Sequence, residues 1–378
     1  QALAGENGCS YPATFSSSFG LPKDGTYLRK PTASVGGTGI IRWVGLDEKP
    51  RADGALWQEF VTGVPMSASL LVGPEGIEVL SVCRQLIGRG WCQAKPFSFC
   101  GAVELSDAGL KQDMRIRLLE FASALVGRAG LMGLIGIDFI MPRKITKNPI
   151  GKPIVLEVNP RASRTVPFVS KVTNTPLARL AARIAAGAKL SDFNLKQWDQ
   201  FNHIAVKEAV LPFNKFPEES IFLSPEMKST GEVMGISESM GESFLRASIS
   251  AGNVIPKIGK VFISVNDSDK LNAIPIARDL VELGFELVAT SGTAKELKRN
   301  GLKVENIFKV GEGRPNVVDG IKNGEIDLVI NTPFGAMARY DEEAIGRASI
   351  QKGIVAITTL SAASAAVRAL RSNQKEEI

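Results

Sequence analysis

Three oxygen-bearing side chains interrupt strand-like apolar sequence. Asp138 breaks the run 135–140, Glu157 breaks the run 154–158, and Asn159 follows directly after it. Glu157 and Asn159 lie two apart, so on a strand they project from one face. A carboxylate amid apolar strand residues is unfavourable unless it is paired or binds a cation. If the two strands pair, Asp138 joins that face, and oxygen donors of this kind suit Mg2+, which bridges substrate phosphates. The competing reading is an internal ion pair with Arg161 or Arg164, whose guanidinium groups also suit clamping a phosphate or carboxylate. Spacing alone leaves both open. Upstream, Lys30 precedes the segment Ser34 to Gly39, with glycines at Gly36, Gly37 and Gly39. A glycine-rich turn between two strands lets backbone amides approach phosphate oxygens, and the lysine can neutralise them. The alternative is a hairpin tip without a ligand. The segment is neither a Walker A loop nor a dinucleotide fingerprint.

The rest of the composition narrows the chemistry. His203 is the single histidine, which argues against a multi-histidine metal site and a histidine-activated nucleophile. The cysteines, Cys9, Cys83, Cys92 and Cys100, show no C-x-x-C spacing and read as reduced thiols of a cytoplasmic protein. The net charge of +6 balances 45 bases against 39 acids, with no basic cluster of the kind that binds nucleic acid. The run Arg143 to Lys152 reads as a solvated loop. No stretch is long and apolar enough to span a membrane, and no secretory signal is visible. The chain opens on Gln1 rather than Met, which points to a fragment or processed piece.

The elements that must position these residues divide the 378-residue chain. Residues 1–25 read as a remnant or loop. Residues 26–190 read as one α+β domain. Its strands are expected at 27–31, 40–44, 57–61, 67–72, 77–87, 134–140 and 154–158, and its helices at 109–129 and 176–187. Residues 191–257 read as a connecting region. Residues 258–378 alternate strands (261–265, 285–290, 304–310, 327–331, 354–358) with helices (270–283, 293–300, 315–323, 340–352, 361–371). That pattern predicts a five-stranded parallel sheet covered on both faces, so the fold class is α/β: an α+β domain followed by a Rossmann-like α/β domain.

Lys30, the glycine segment, Trp57 to Gly63 and Glu157 to Arg161 together resemble the ATP-grasp superfamily. The resemblance implies that Lys30, Gly36, Gly37 and Gly39 hold nucleotide phosphates. It also implies that Gln58, Glu59 and Val61 belong to the hinge that meets adenine, and that Asp138, Glu157 and Asn159 hold Mg2+, with Mn2+ as a substitute. Family enzymes form an acyl phosphate from ATP and a carboxylate, which requires positioning and charge neutralisation rather than a histidine base.

The stretches Glu157 to Lys171, Ala205 to Phe213 and Ser224 to Gly235, and the sequence from there to the C-terminus, resemble more narrowly the large chains of carbamoyl phosphate synthetases. That likeness implies phosphorylation of carbamate, with Arg161 and Arg164 on the transferred group. It also implies a C-terminal allosteric domain similar to methylglyoxal synthase. There, Ala289 to Ala294 closes a strand and opens a helix, so free amides and the Thr290 and Thr293 hydroxyls offer a phosphate seat. Lys270, Thr290, Thr293, Lys309 and Asn331 match the family's effector-phosphate positions. Pro333 stands where some members carry threonine, and a simple N-cap is the alternative for each threonine. The synthase's Gly-Gly-Asp signature is missing, so no catalysis is expected of this domain. The implied effectors are nucleotide monophosphates or ornithine-type amines, the implied partner a glutaminase small subunit, and homo-oligomers are compatible.

Residues 1–150 depart from the synthetase pattern. Cys83 to Gly88 and Phe99 to Gly101 replace its His- and Glu-containing stretch, and Asp138 stands where synthetases use glutamine. This half resembles stand-alone ATP-grasp carboxylate–amine ligases, with the change near 143–153. Natural fusion and hybrid sequence both fit. Three functions follow: a carbamate-phosphorylating fragment, a carboxylate–amine ligase of other substrate, or a non-catalytic effector-binding module.

Overall fold

A computed structural model describes residues 9–32, 37, 39–45, 54–89, 94, 96–105, 108–127, 130–142, 152–195, 201–216, 221, 227–332 and 338–376. Gly36, Cys92, Pro333 and the basic run from Arg143 to Gly151 lie outside them. The chain divides into two compact units, residues 1–201 and 202–378.

The first unit holds two antiparallel sheets. Strands β1 (Thr14–Phe15), β2 (Tyr27–Lys30), β3 (Ile41–Arg42) and β4 (Leu56–Glu59) form the small one, in the order β1-β4-β2-β3. Residues 14–15, expected within a loop, thus join a sheet; a two-residue strand is too short to show a period. The larger sheet is built from β5 (Gly63–Gly73), β6 (Gly76–Ile87), β7 (Phe99–Glu104), β8 (Gly133–Pro142) and β9 (Ile154–Asn159), in the order β7-β6-β5-β8-β9. Three helices accompany it: α1 (Ala108–Ala122), α2 (Thr165–Val172) and α3 (Leu177–Ala185). The helix expected over 109–129 is α1 followed by a π-helical turn, Ser123–Gly127.

Strand alternation divides this sheet into two unlike faces. On one, Met66, Ala68, Leu70 and Val72 of β5 and Ile135, Ile137 and Phe139 of β8 pack on Met114, Leu118, Phe121 and Ala122 of α1. On the other, Leu71 and Leu134 pair in register and bury against Val166, Val169, Leu177, Leu180 and Ile184 of α2 and α3. Two steps along from Leu71 and Leu134 on that face come Ser69 and Gly136, then Ser67 and Asp138. The face therefore runs from apolar, under the helices, to polar.

The second unit opens with a hairpin, β10 (Ile204–Val210) and β11 (Gly231–Ser237), followed by α4 (Met240–Ser250). The remainder is β12 (Gly259–Val265), α5 (Lys270–Glu282), β13 (Phe285–Thr290), α6 (Ser291–Arg299), β14 (Glu305–Ile307), α7 (Val317–Asn323), β15 (Leu328–Thr332), α8 (Ala338–Lys352), β16 (Val355–Ile357) and α9 (Leu360–Glu376). The five strands are all parallel, in the order β14-β13-β12-β15-β16. Val261, Ile263, Leu287, Leu328 and Ile330 bury on one face with Ala277 and Leu280 of α5 and Ala366 and Val367 of α9. Phe262, Val288 and Val329 bury on the other with Val317 and Ile321 of α7 and Ile345 and Ala348 of α8. The expected α/β class and doubly covered sheet are what the structure has.

Gly235, on β11, is where α4 comes closest to the hairpin: a Cβ there would overlap the Ser243 carbonyl oxygen and the Ala247 amide nitrogen, both backbone atoms. Gly235→Ala is expected to destabilise the protein by about 1–3 kcal/mol through this overpacking. Urea unfolding with an unchanged midpoint would contradict the close approach.

Candidate functional site

The register of β8 and β9 sets the first site. Phe139 pairs with Val155, Asp138 with Glu157, Ile137 with Val158 and Gly136 with Asn159, with an irregularity between Asp138 and Phe139. Leu156 is the extra residue of a β-bulge. Without it, Val155 and Glu157 would share a face. With it, Val155 and Val158 both turn toward the core on α1, while Glu157 and Asn159 both turn to the polar face beside Asp138. Bulges of this kind re-aim side chains.

Asp138 is hydrogen-bonded to Gln85, with Arg161 near enough to act on it through charge. Its Oδ1 accepts a hydrogen bond from Gln85 Nε2 at 2.7 Å, reaching across β5 at Ser67. Burial first, and then the Glu157 charge, push the Asp138 carboxyl above its ordinary range; the Gln85 bond and Arg161 draw it back without cancelling the rise. Two carboxylates held close on a half-buried face are a donor set that a divalent cation would neutralise, and carboxylate and amide oxygens suit Mg2+. Among the described residues no group of three or more His, Cys, Asp and Glu could hold a metal; the set here is two carboxylates and an amide. Arg161 and Arg164 follow at the end of β9, both exposed, with Arg164 at the N-cap position of α2.

Lys30 comes to the same site from the small sheet. It feels the Glu157 charge, yet burial is the larger effect and lowers its pKa. Its Nζ donates to Gln58 Oε1 at 3.1 Å, and Gln58 Nε2 donates to Thr14 Oγ1 at 3.0 Å. Gln58, assigned by resemblance to the adenine hinge, thus anchors Lys30. Glu59 accepts a hydrogen bond from the Ala13 amide, 3.2 Å away, and Val61 follows on the loop into β5. Gly37 and Gly39 both have positive φ, +80° and +77°, and a Cβ at Gly37 would overlap the Phe97 carbonyl. Gln85 was missed from the sequence, because only the register of three strands brings it to Asp138.

The second site belongs to the C-terminal unit. The carboxyl ends of β12, β13 and β15 open on a cleft of about 1080 Å3, and Lys270, Thr290, Thr293, Lys309 and Asn331 all line it. Strand order reverses at β12, and crevices at such a reversal, outside the carboxyl ends, are where open α/β sheets bind ligands. Thr290 stands at the N-cap of α6 but makes no side-chain cap bond; its hydroxyl lies 3.1 Å from Ser264 Oγ. Thr293 Oγ1 accepts from the Val265 amide at 3.2 Å. Neither threonine hydroxyl acts as a simple helix cap. Asn331 and Thr332 are buried at the end of β15. No described helix is long and apolar enough to cross a membrane.

The strain between Asp138 and Glu157 has a measurable sign. A carboxyl whose pKa is higher folded than unfolded destabilises the protein once ionised. Asp138→Asn keeps an acceptor for Gln85 and removes the charge, so its thermal midpoint at pH 7, without divalent metal, should exceed that of the wild type. The gain should fade as the pH falls through the raised folded value and vanish below the ordinary aspartate value of 3.8, where the wild-type carboxyl is protonated in both states. Melting curves across pH in EDTA test this; a midpoint lowered at pH 7 would contradict it.

The ATP-grasp domain family matches residues 1–165, and the MGS-like domain family matches residues 272–358. The carbamoyl phosphate synthase large chain of Acidobacterium capsulatum is 47% identical over 254 residues, 66% of this chain and 23% of that one. That of Nostoc sp. is 48% identical over 282 residues, 75% of this chain and 25% of that one. That of Pseudomonas putida is 43% identical over 291 residues, 77% and 25%. The chain thus spans about a quarter of the length of these relatives, and the likeness extends ahead of residue 153 into the front half. Among solved structures, an L-amino acid ligase from Bacillus licheniformis matches with a TM-score of 0.43 at 14% identity, over 63% of this chain and 65% of that one. The chain therefore contains an ATP-grasp domain and an MGS-like domain, and it is homologous over most of its length to the large chains of carbamoyl phosphate synthase.

Proposed function

We propose that the first unit binds Mg·ATP and phosphorylates carbamate, and that the C-terminal cleft binds a phosphate-bearing effector. The observation that carries the catalytic reading is the bulged register that sets Asp138 opposite Glu157 with Asn159 on the same face. Asp138, Glu157 and Asn159 would hold Mg2+, which supplies neutralisation of polyphosphate charge. Lys30, positioned by Gln58 and close enough to Glu157 to feel its charge, would pair with the phosphates beside the glycine turn. A carbamate oxygen attacks the γ-phosphorus, the bond to the β-phosphate oxygen breaks, and ADP leaves with that electron pair. Arg161 and Arg164 would hold the transferred group as its charge spreads.

One observation favours a second reading, a carboxylate–amine ligase that uses the same metal site. Asp138 stands where the synthetase pattern has glutamine, and Gln85 supports it from β6. The two readings differ in the acyl acceptor of the phosphoryl group.

The supporting features of the effector cleft are two lysines, two threonines and the α6 amino end at the carboxyl edge of a parallel sheet. A nucleotide monophosphate carries the matching oxyanion.

Incubation with carbamoyl phosphate and Mg·ADP should yield ATP, and Glu157→Ala should abolish it while leaving effector-induced thermal stabilisation intact. ATP formation unchanged in Glu157→Ala would overturn the site assignment. No ATP with Mg·ADP still bound would favour the ligase. No nucleotide binding at all would leave the effector cleft as the functional part.

A further inference from the structure

Both lysines of the C-terminal cleft already have an anionic neighbour. Lys270 Nζ lies 2.6 Å from Asp267 Oδ1, and Lys309 Nζ lies 3.9 Å from Glu312 Oε1. With Asp341, which also lines the cleft, the local sum is two positive charges against three negative ones. A cleft shaped for an oxyanion, in the reading proposed above, carries a surplus of carboxylate.

Asp267 is the side chain of interest. It is almost fully solvent-exposed, whereas Lys270 is mostly buried. The Lys270 hydrogen bond and charge hold the Asp267 carboxyl below its ordinary range, and Lys309 adds to that effect. Asp267 therefore stands in the combined field of both lysines, where a ligand oxyanion would stand. Lys270 in turn lies against the first turn of α6, since a Cβ on Gly292 would come within 3.2 Å of its Nζ.

The loop between β12 and α5 holds this arrangement. The Asn266 amide donates to the Thr332 carbonyl at 3.1 Å, and Asn266 Nδ2 donates to Asp269 Oδ2 at 2.7 Å. The Asp269 amide donates back to the Asn266 carbonyl at 3.1 Å, and Ser268 Oγ donates to Asn266 Oδ1. Asn266 thereby pins the turn to the end of β15 and presents Asp267 three residues ahead of Lys270. The acceptor is built in, and only its exposed side chain has to rotate to release the ammonium.

We infer that Asp267 is an internal competitor for the cleft: its carboxylate occupies Lys270 and must leave before an oxyanion can take that place. This rests on the reading of the cleft as an anion site. Inorganic phosphate, which offers oxygens alone, is then held weakly. A larger ligand offsets the displacement with contacts to other lining groups, such as the exposed Tyr340.

The test is calorimetric titration of inorganic phosphate, at pH 8 and low salt, into the full chain and three variants. Asp267→Asn should bind phosphate about two- to fivefold more tightly, the range of an exposed ion pair. Lys270→Ala should bind it more weakly. Glu325→Gln removes a charge ahead of the amino end of β15, the opposite edge of the sheet, and should match the wild type. Asp267 is exposed, so its replacement puts no buried contact at risk. Equal or weaker binding by Asp267→Asn, with Lys270→Ala still impaired, would overturn the inference and make Asp267 a support for Lys270. Equal gains in Asp267→Asn and Glu325→Gln would overturn it in favour of general charge. Phosphate binding by none of the four proteins would overturn the anion reading of the cleft, and the inference with it.

Discussion

One unpaired residue, Leu156, decides which way the chemistry of the first unit faces. Strand side chains alternate strictly, so a run such as Val155, Glu157, Asn159 would place an apolar and two polar groups on one face. The bulge adds one residue to β9 and resets the alternation. Val155 and Val158 then both reach the core on α1, and Glu157 and Asn159 both reach the polar face. Burial and function would otherwise compete for the same strand. The apolar contacts hold β9 in register, and that register brings Glu157 opposite Asp138. The repulsion between them is the strained element that the surrounding packing tolerates.

Around that point the first unit is arranged by reach. Gln85 crosses a strand occupied by the small Ser67 to hold Asp138. Lys30 arrives from a separate small sheet, and the Thr14–Gln58 chain of hydrogen bonds fixes it. A half-buried ammonium with a lowered pKa and a half-buried carboxyl with a raised pKa mark one locality, and both shifts have burial as their leading cause. The C-terminal unit works differently. Its cleft lies where strand order reverses; a backbone amide and a pinned loop hold its Thr293 and Asn266, and both of its lysines are paired with carboxylates.

Much of this was legible in the sequence. The strand–helix alternation after residue 258 fixed five strands and five helices, because buried parallel strands read as continuous apolar runs. The pairing of 135–140 with 154–158 entered only as a condition, which the register meets, and the shared face of Glu157 and Asn159 followed from a spacing of two. The bulge did not, since a strand's register depends on partners distant in sequence. Gln85 was hidden for the same reason. Helix α2 was missed because Thr165, Val166, Val169 and Val172 are β-branched and Pro167 sits near its start, which disfavours helix locally; burial of Val166 and Val169 against the sheet prevails. The hairpin β10–β11 lay within the segment read as a connector, since its strands are separated by a long intervening stretch. Gln58 was assigned by resemblance to adenine contact, and its bond to Lys30 is visible only once β2 and β4 pair.

The account's central claim is that the Asp138, Glu157 and Asn159 face holds the cation of a bound nucleotide. Titration of the protein with Mn2+ in the presence of ADP, followed by the electron paramagnetic resonance signal of free Mn2+, tests it most directly. The expected result is loss of the free-ion signal with the wild type and its retention with Glu157→Gln. Equal loss of signal with both proteins would place the cation elsewhere and contradict the account.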